Sequence, residues 1–179
     1  ISLSYLRDGQ NAVLWRMPLK VLWLDNSKSR ASGTFMWDVL DRLAKNPAVE
    51  VVEQSIPVIR GTMDAINVFG AMHTPREGYG IVHGQYGSLV GFLSTFARAP
   101  RIVSFRGSDI YPPQGNWRER LAGSLRWILT YISAVRSDGI LVMSGAMFDI
   151  VASWPGVRRD KVHILPDPAG ELFWPEPSR

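Results

Sequence analysis

The sequence predicts an α/β fold with a Rossmann-like, mostly parallel sheet covered by helices on both faces. Short apolar runs alternate with amphipathic stretches along almost the whole chain. The runs carry no polar alternation, so each strand needs cover on two sides. Strands separated by helical patterns are joined by right-handed crossovers into such a sheet.

Lys20 to Leu24 reads as a buried strand that ends at Asp25-Asn26-Ser27. Met36, Val39, Leu40 and Leu43 share one helical face, which predicts a helix from Thr34 to Lys45. Val49 to Gln54 is the next strand, and the stretch from Gly61 to Gly78 holds a helix and a loop. A strand at Ile81-Val82-His83 precedes a helix marked by Leu89, Phe92, Leu93 and Phe96. Arg101 to Phe105 is a strand; Leu121, Leu125, Ile128, Leu129 and Ile132 then mark a longer helix. Gly139 to Met143 is a strand, Met147, Ile150, Val151 and Trp154 mark a helix, and Lys161 to Leu165 is the last strand.

At 179 residues the chain suits one core, expected over residues 17–165. Residues 1–16 carry Arg7, Asp8 and Arg16 within apolar stretches, read poorly as a signal peptide, and are taken as upstream or added sequence. Residues 166–179, rich in proline, are expected to lead out toward a second domain. The absence of cysteine excludes disulfides, thiolate metal sites and cysteine nucleophiles, and suits a cytoplasmic protein. His73, His83 and His163 do not form a recognisable zinc-binding spacing. The net charge of +4 comes mostly from arginine and admits nucleic acid, an anionic membrane or a phosphorylated substrate as partner. Nucleic acid ranks last, because no familiar basic-aromatic binding motif is present.

Open parallel sheets bind ligands beyond the carboxyl ends of their strands. After the first strand, Gly33 and Thr34 open a helix whose amides can hold a phosphate; the plainer alternative is a helix cap at Ser32 or Thr34. After the third, His83, Gln85 and Tyr86 can meet a hydroxyl-rich ligand, or His83 is a satisfied structural residue. After the fourth, Arg106 offers a cationic fork, with Ser108 and Asp109 beside it; alternatively Arg106 and Asp109 pair and lock a turn. Ser144 either caps the next helix or touches ligand. No G-x-S-x-G elbow supports hydrolase chemistry. From Asn116 to Arg136, Arg118, Arg120 and Arg126 accompany Trp117, Trp127 and Tyr131 around an apolar helix, a mixture that suits peripheral contact with anionic lipid. The competing expectation is that one face packs on the sheet and the arginines are solvated.

These pieces, in this order, resemble the N-terminal domain of family-four retaining glycosyltransferases of the GT-B fold, over Leu19 to Pro177. Lys20 to Gly33 matches the family's first strand and glycine loop. Ile81-Val82-His83-Gly84-Gln85 resembles "D-I-V-H-A-H", and Ile102 to Asp109 resembles "V-V-x-T-x-H-G-x-D". Ser137-Asp138-Gly139-Ile140 with Met143-Ser144 resembles "A-D-x-I-x-x-x-S". Lys161 to Pro166, followed by Leu172-Phe173 and Pro175, resembles the exit "K-I-x-V-I-P-N-G-V-D…F-x-P".

The resemblance implies transfer of a sugar from a nucleotide-sugar donor to a glycan or lipid-linked acceptor, with retention and without a cofactor or catalytic metal. It places most donor contacts on a C-terminal domain and the acceptor on this one. Gly33 and Thr34 would approach the donor diphosphate, and His83, Gln85, Tyr86, Ser108 and Ser144 would border the substrate. Arg106 and Asp109 would take the catalytic positions. It further implies cell-envelope polysaccharide assembly in the cytoplasm or on the inner face of the membrane. Two departures stand out: Arg106 replaces the family's histidine, and Asp167-Pro168 replaces its Asn-Gly. A half-enzyme of this kind would be inactive alone. The alternative expectation is a noncatalytic module that binds a glycan or a partner.

Overall fold

β-branched and leucine-rich runs place the strands, and glycine or polar breaks end them. In the computed structural model these are β1 (Leu19–Asp25), β2 (Val49–Ser55), β3 (Ile81–Gln85), β4 (Arg101–Phe105), β5 (Gly139–Val142) and β6 (Val162–Ile164). Between them lie α1 (Thr34–Ala44), α2 (Thr62–Met72), α3 (Leu89–Ser94), α4 (Trp117–Arg136) and α5 (Gly145–Ala152). The structure describes residues 18–26, 34–56, 62–72, 78–112 and 114–166. The strands form one six-stranded sheet in the order β2-β1-β3-β4-β5-β6. Every pairing is parallel.

Alternate side chains of each strand feed different cores. Leu22, Leu24 and Val82 pack with Val68 of α2 and Val90 and Leu93 of α3. Val103, Phe105, Ile140 and Val142 pack with Ala134 of α4 and Met147 and Val151 of α5. On the opposite face Trp23 packs with Met36, Trp37 and Leu40 of α1. The edge strand β2 departs from the expected continuous burial, since none of its residues is buried and Glu50, Glu53 and Ser55 are exposed.

α4 begins at a capping box. The Asn116 side chain accepts from the backbone N–H groups of Arg118 and Glu119 at 3.1 Å, and Glu119 accepts from the Asn116 N–H at 3.0 Å. At its other end the buried ammonium of Lys161 donates to the carbonyls of Ala134, Val135 and Ser137 at 2.7–3.1 Å. These groups satisfy helix ends that would otherwise lack partners.

The face of α4 that packs inward is small and polar: Gly123, Thr130, Ser133 and Ala134 are its buried residues. Of the apolar positions that mark the helix in the sequence, Leu121, Leu125 and Ile128 turn outward instead, with Leu121 68 % and Leu125 60 % exposed, while Leu129 and Ile132 are half-buried. The reason is steric. α3 and α4 approach so closely that Ser133 Oγ lies 2.8 Å from the Gly87 carbonyl oxygen. A Cβ on Gly91 of α3 would stand 2.9 Å from the Tyr86 carbonyl and 3.0 Å from Ser133 Oγ. No large side chain fits that seam.

Gly91→Ala therefore sets helix propensity against overpacking. The gain of ~1 kcal/mol from alanine in a helix is exceeded by the cost of forcing backbone and packed side chains apart, about 1–3 kcal/mol. Urea unfolding should show the variant less stable than the parent, whereas the exposed helical Gly70, with nothing within 4 Å of its Cβ position, should not lose stability on the same change.

Candidate functional site

The strand order reverses between β1 and β3, and such a switch point opens a crevice at the carboxyl edge. A cleft of about 620 Å³ lies there. Asn26 comes from the end of β1, Tyr86 and Ser88 from the loop after β3, and Ser108, Asp109 and Tyr111 from the loop after β4. The far wall is α4, which contributes Glu119, Arg126, Trp127 and Thr130. This wall was not legible as part of the site in sequence. Its signal is the set of small residues Gly123, Thr130 and Ser133 inside an otherwise bulky helix, which allows close approach to the strand ends.

One carboxylate organises the mouth of the cleft. Asp109 Oδ2 accepts from the Gly87 backbone N–H at 2.7 Å, and Oδ1 accepts from the Arg106 backbone N–H at 3.1 Å. The loops after β3 and β4 are thus tied together. Gly107 at φ +103° turns the chain, and Tyr86 itself adopts φ +75°. A non-glycine residue there is uncommon and points to a surrounding structure that enforces it. Burial raises the Asp109 pKa, and the N–H groups of Gly87 and Arg106 pull it back down. The turn expected from an Arg106–Asp109 pair is locked through the Arg106 backbone amide. The Arg106 guanidinium reaches toward Gln85 Oε1 (2.9 Å) and Met143 Sδ (3.5 Å).

Beneath this edge runs a polar chain. The guanidinium can only donate, so the Gln85 atom facing it is the carbonyl oxygen and the Gln85 amide nitrogen turns to His83. Gln85 Nε2 donates to His83 Nε2 at 3.1 Å, and Ser104 Oγ lies 2.8 Å from the same ring nitrogen. His83 Nε2 therefore carries the lone pair, and the ring proton sits on Nδ1. His83 is buried, edge-on to Trp23 with ring centroids 4.8 Å apart. Burial first, and then the Arg106 charge, lower its pKa to about 3. Arg106 is itself held below its ordinary value by burial.

The sequence-predicted residues are distributed rather than pooled. Tyr86, Ser108 and Asp109 line the large cleft. His83 and Arg106 line a second cavity of about 290 Å³ between α1 and Pro166, on the α1 side of the sheet. Gln85 is fully buried and connects His83 to Arg106. Ser144 caps α5 by accepting from the Met147 N–H at 3.3 Å and lines neither cavity. Thr34 opens α1, and Gly33 lies outside the described residues. Among the described residues no group of His, Asp or Glu is arranged to hold a metal ion. Asp138, from the motif before β5, serves the amino edge: Arg101 donates to it through Nε at 2.9 Å and Nη2 at 3.1 Å, joining β4 to β5.

The sheet order, the cleft at its switch point and the motif order define the Rossmann-like half of a GT-B glycosyltransferase. The chain matches the glycosyl transferase 4-like domain over residues 13–168 and belongs to that family. No curated protein matches it. Membership implies a sugar donor and an acceptor as partners.

The His83 geometry predicts a pH dependence. The unfolded imidazole takes up a proton below pH 6.5, whereas the folded one resists until about 3. This contribution to stability is full above pH 6.5 and is lost as pH falls toward 3. Between pH 6.5 and 5 the loss amounts to ~2 kcal/mol. Urea midpoints measured across that range should fall for the parent chain and fall less for His83→Gln, which keeps an acceptor but cannot titrate.

Proposed function

We propose that the 620 Å³ cleft receives the acceptor of a sugar transfer, and that the nucleotide-sugar donor is held mainly by a second domain following residue 166. The observation that carries this reading is the lining: Asn26, Tyr86, Ser88, Ser108, Tyr111 and Gln114 offer neutral donors and acceptors, and Trp127 offers an aromatic face. Hydroxyl-rich ligands are bound by such mixtures. Arg126 at the rim can pair with a phosphate on a lipid-linked or otherwise anionic acceptor.

In this proposal Ser108 and Tyr86 orient the acceptor, and Asp109 acts by pinning their loops. Gly33 and Thr34 approach the donor diphosphate with backbone amides. Arg106 stabilises charge on the departing diphosphate, while Gln85 and His83 position its guanidinium from below. An arginine in place of the family's histidine cannot relay a proton at neutral pH, so its contribution is electrostatic. Transfer with retention, and a setting on the cytoplasmic side in cell-envelope polysaccharide assembly, complete the reading.

Calorimetry with sugar nucleotides and bare nucleoside diphosphates tests it, using this chain and a longer protein carrying any downstream domain. The longer protein should bind the nucleotide and transfer or hydrolyse its sugar, and the 179-residue chain should not turn over. In the longer protein, Tyr86→Phe with Ser108→Ala should raise acceptor KM about tenfold and leave donor KM unchanged. A longer protein that binds no sugar nucleotide overturns the transferase reading in favour of a glycan- or partner-binding module. An unchanged acceptor KM removes the acceptor from this cleft.

A further inference from the structure

α4 is amphipathic in the opposite sense to an ordinary packed helix. Its small, polar residues face the domain, and a stripe of large apolar residues faces away. Trp117 is 70 % exposed, Leu121 68 %, Leu125 60 % and Ile128 48 %. Successive steps of three or four residues place them on one side, opposite Gly123, Thr130 and Ser133. From Trp117 to Ile128 the stripe runs ~17 Å along this 20-residue helix. Exposure of this extent marks an interaction surface.

The structure also sorts the aromatic and basic residues of the helix. Trp127 and Tyr131 are stacked on each other (5.8 Å between centroids) and packed against Trp154, so they stand apart from the stripe. Arg126 turns to the cleft. Trp117 remains at the outer end of the stripe, with the Arg118 guanidinium 5.2 Å from its ring centroid. Arg118 and Arg136 flank one side of the stripe and Arg120 the other, and all are exposed. The only acidic residue of α4, Glu119, is folded back onto Asn116 as part of the cap.

We propose that α4 is the surface by which this domain lies on an anionic lipid bilayer. Cationic flanks on both sides of the stripe require negative charge on both sides of whatever covers it. Phosphate headgroups supply that charge continuously, while arginine stems lie along the apolar residues and tryptophan settles at headgroup level. No helix among the described residues is long and apolar enough to cross a membrane, so α4 rests in the interface plane. This surface does not depend on the acceptor reading, because α4 walls the cleft with its other side.

The test is co-sedimentation of the full chain with phosphatidylcholine vesicles, alone or with about a third phosphatidylglycerol. Binding is expected to the anionic vesicles at low salt, weakening as salt rises, with little to the neutral ones. Leu121→Glu combined with Leu125→Glu should lower vesicle affinity at least about tenfold. Both positions are exposed, so the melting temperature should stay close to that of the parent. Brominated acyl chains should quench the parent's tryptophan fluorescence more than that of Trp117→Phe. Absence of binding to anionic vesicles at low salt overturns the proposal, as does undiminished binding by the double variant. Dimerisation without lipid that the double variant abolishes would assign the stripe to a second copy of this chain instead.

Discussion

The carboxylate of Asp109 is the constraint on which the candidate site depends. At the carboxyl edge of a parallel sheet the chain leaves each strand with unpaired amides, and the loops there have no ladder to align them. Asp109 accepts from Gly87 on one loop and from Arg106 on its own, at 2.7 and 3.1 Å, and so registers the two loops against each other. Tyr86 is consequently held at a positive φ, and Ser108 is carried on the turn at Gly107. The same carboxylate that the motif suggests for chemistry thus has both oxygens committed to backbone.

Below that clamp, polarity is arranged as a chain in which each partner sets the next. Arg106 fixes the orientation of the Gln85 amide, Gln85 fixes the tautomer of His83, and Ser104 completes the sequence. A neutral histidine in such a place is an internal spacer with an acceptor atom. Its burial against Trp23 explains why it is neutral, and Gln85 links it to Arg106 at the carboxyl edge of the sheet.

α4 joins these features to the outside of the molecule. Its close seam with α3 admits only glycine, threonine, serine and alanine, so its bulk is displaced outward. One side therefore forms the far wall of the cleft, while the other carries apolar residues framed by arginine. The membership in the glycosyl transferase 4-like family and the Rossmann-like sheet account for the first side. The second follows from the packing of this particular chain.

The sequence alone determined the fold class and the positions of the strands and helices, because burial on both sheet faces writes continuous apolar runs and helices write a period of three to four. It also pointed to the loops after β1, β3 and β4 that border the cleft, since ligand sites in such sheets follow the strand ends, whereas the loop at Ser144 borders neither cavity. The ends of β2 and α4 and the direction of α4 needed the tertiary structure. Periodicity reveals that Leu121, Leu125 and Ile128 share a face, but only packing decides whether that face turns in or out, and here the Gly91–Ser133 seam decided it. Likewise the motif put Arg106 and Asp109 side by side. Three-dimensional geometry gave the carboxylate to the backbone of Gly87, and turned the guanidinium to Gln85, because hydrogen-bond partners far apart in sequence compete with neighbours and leave no trace in local spacing.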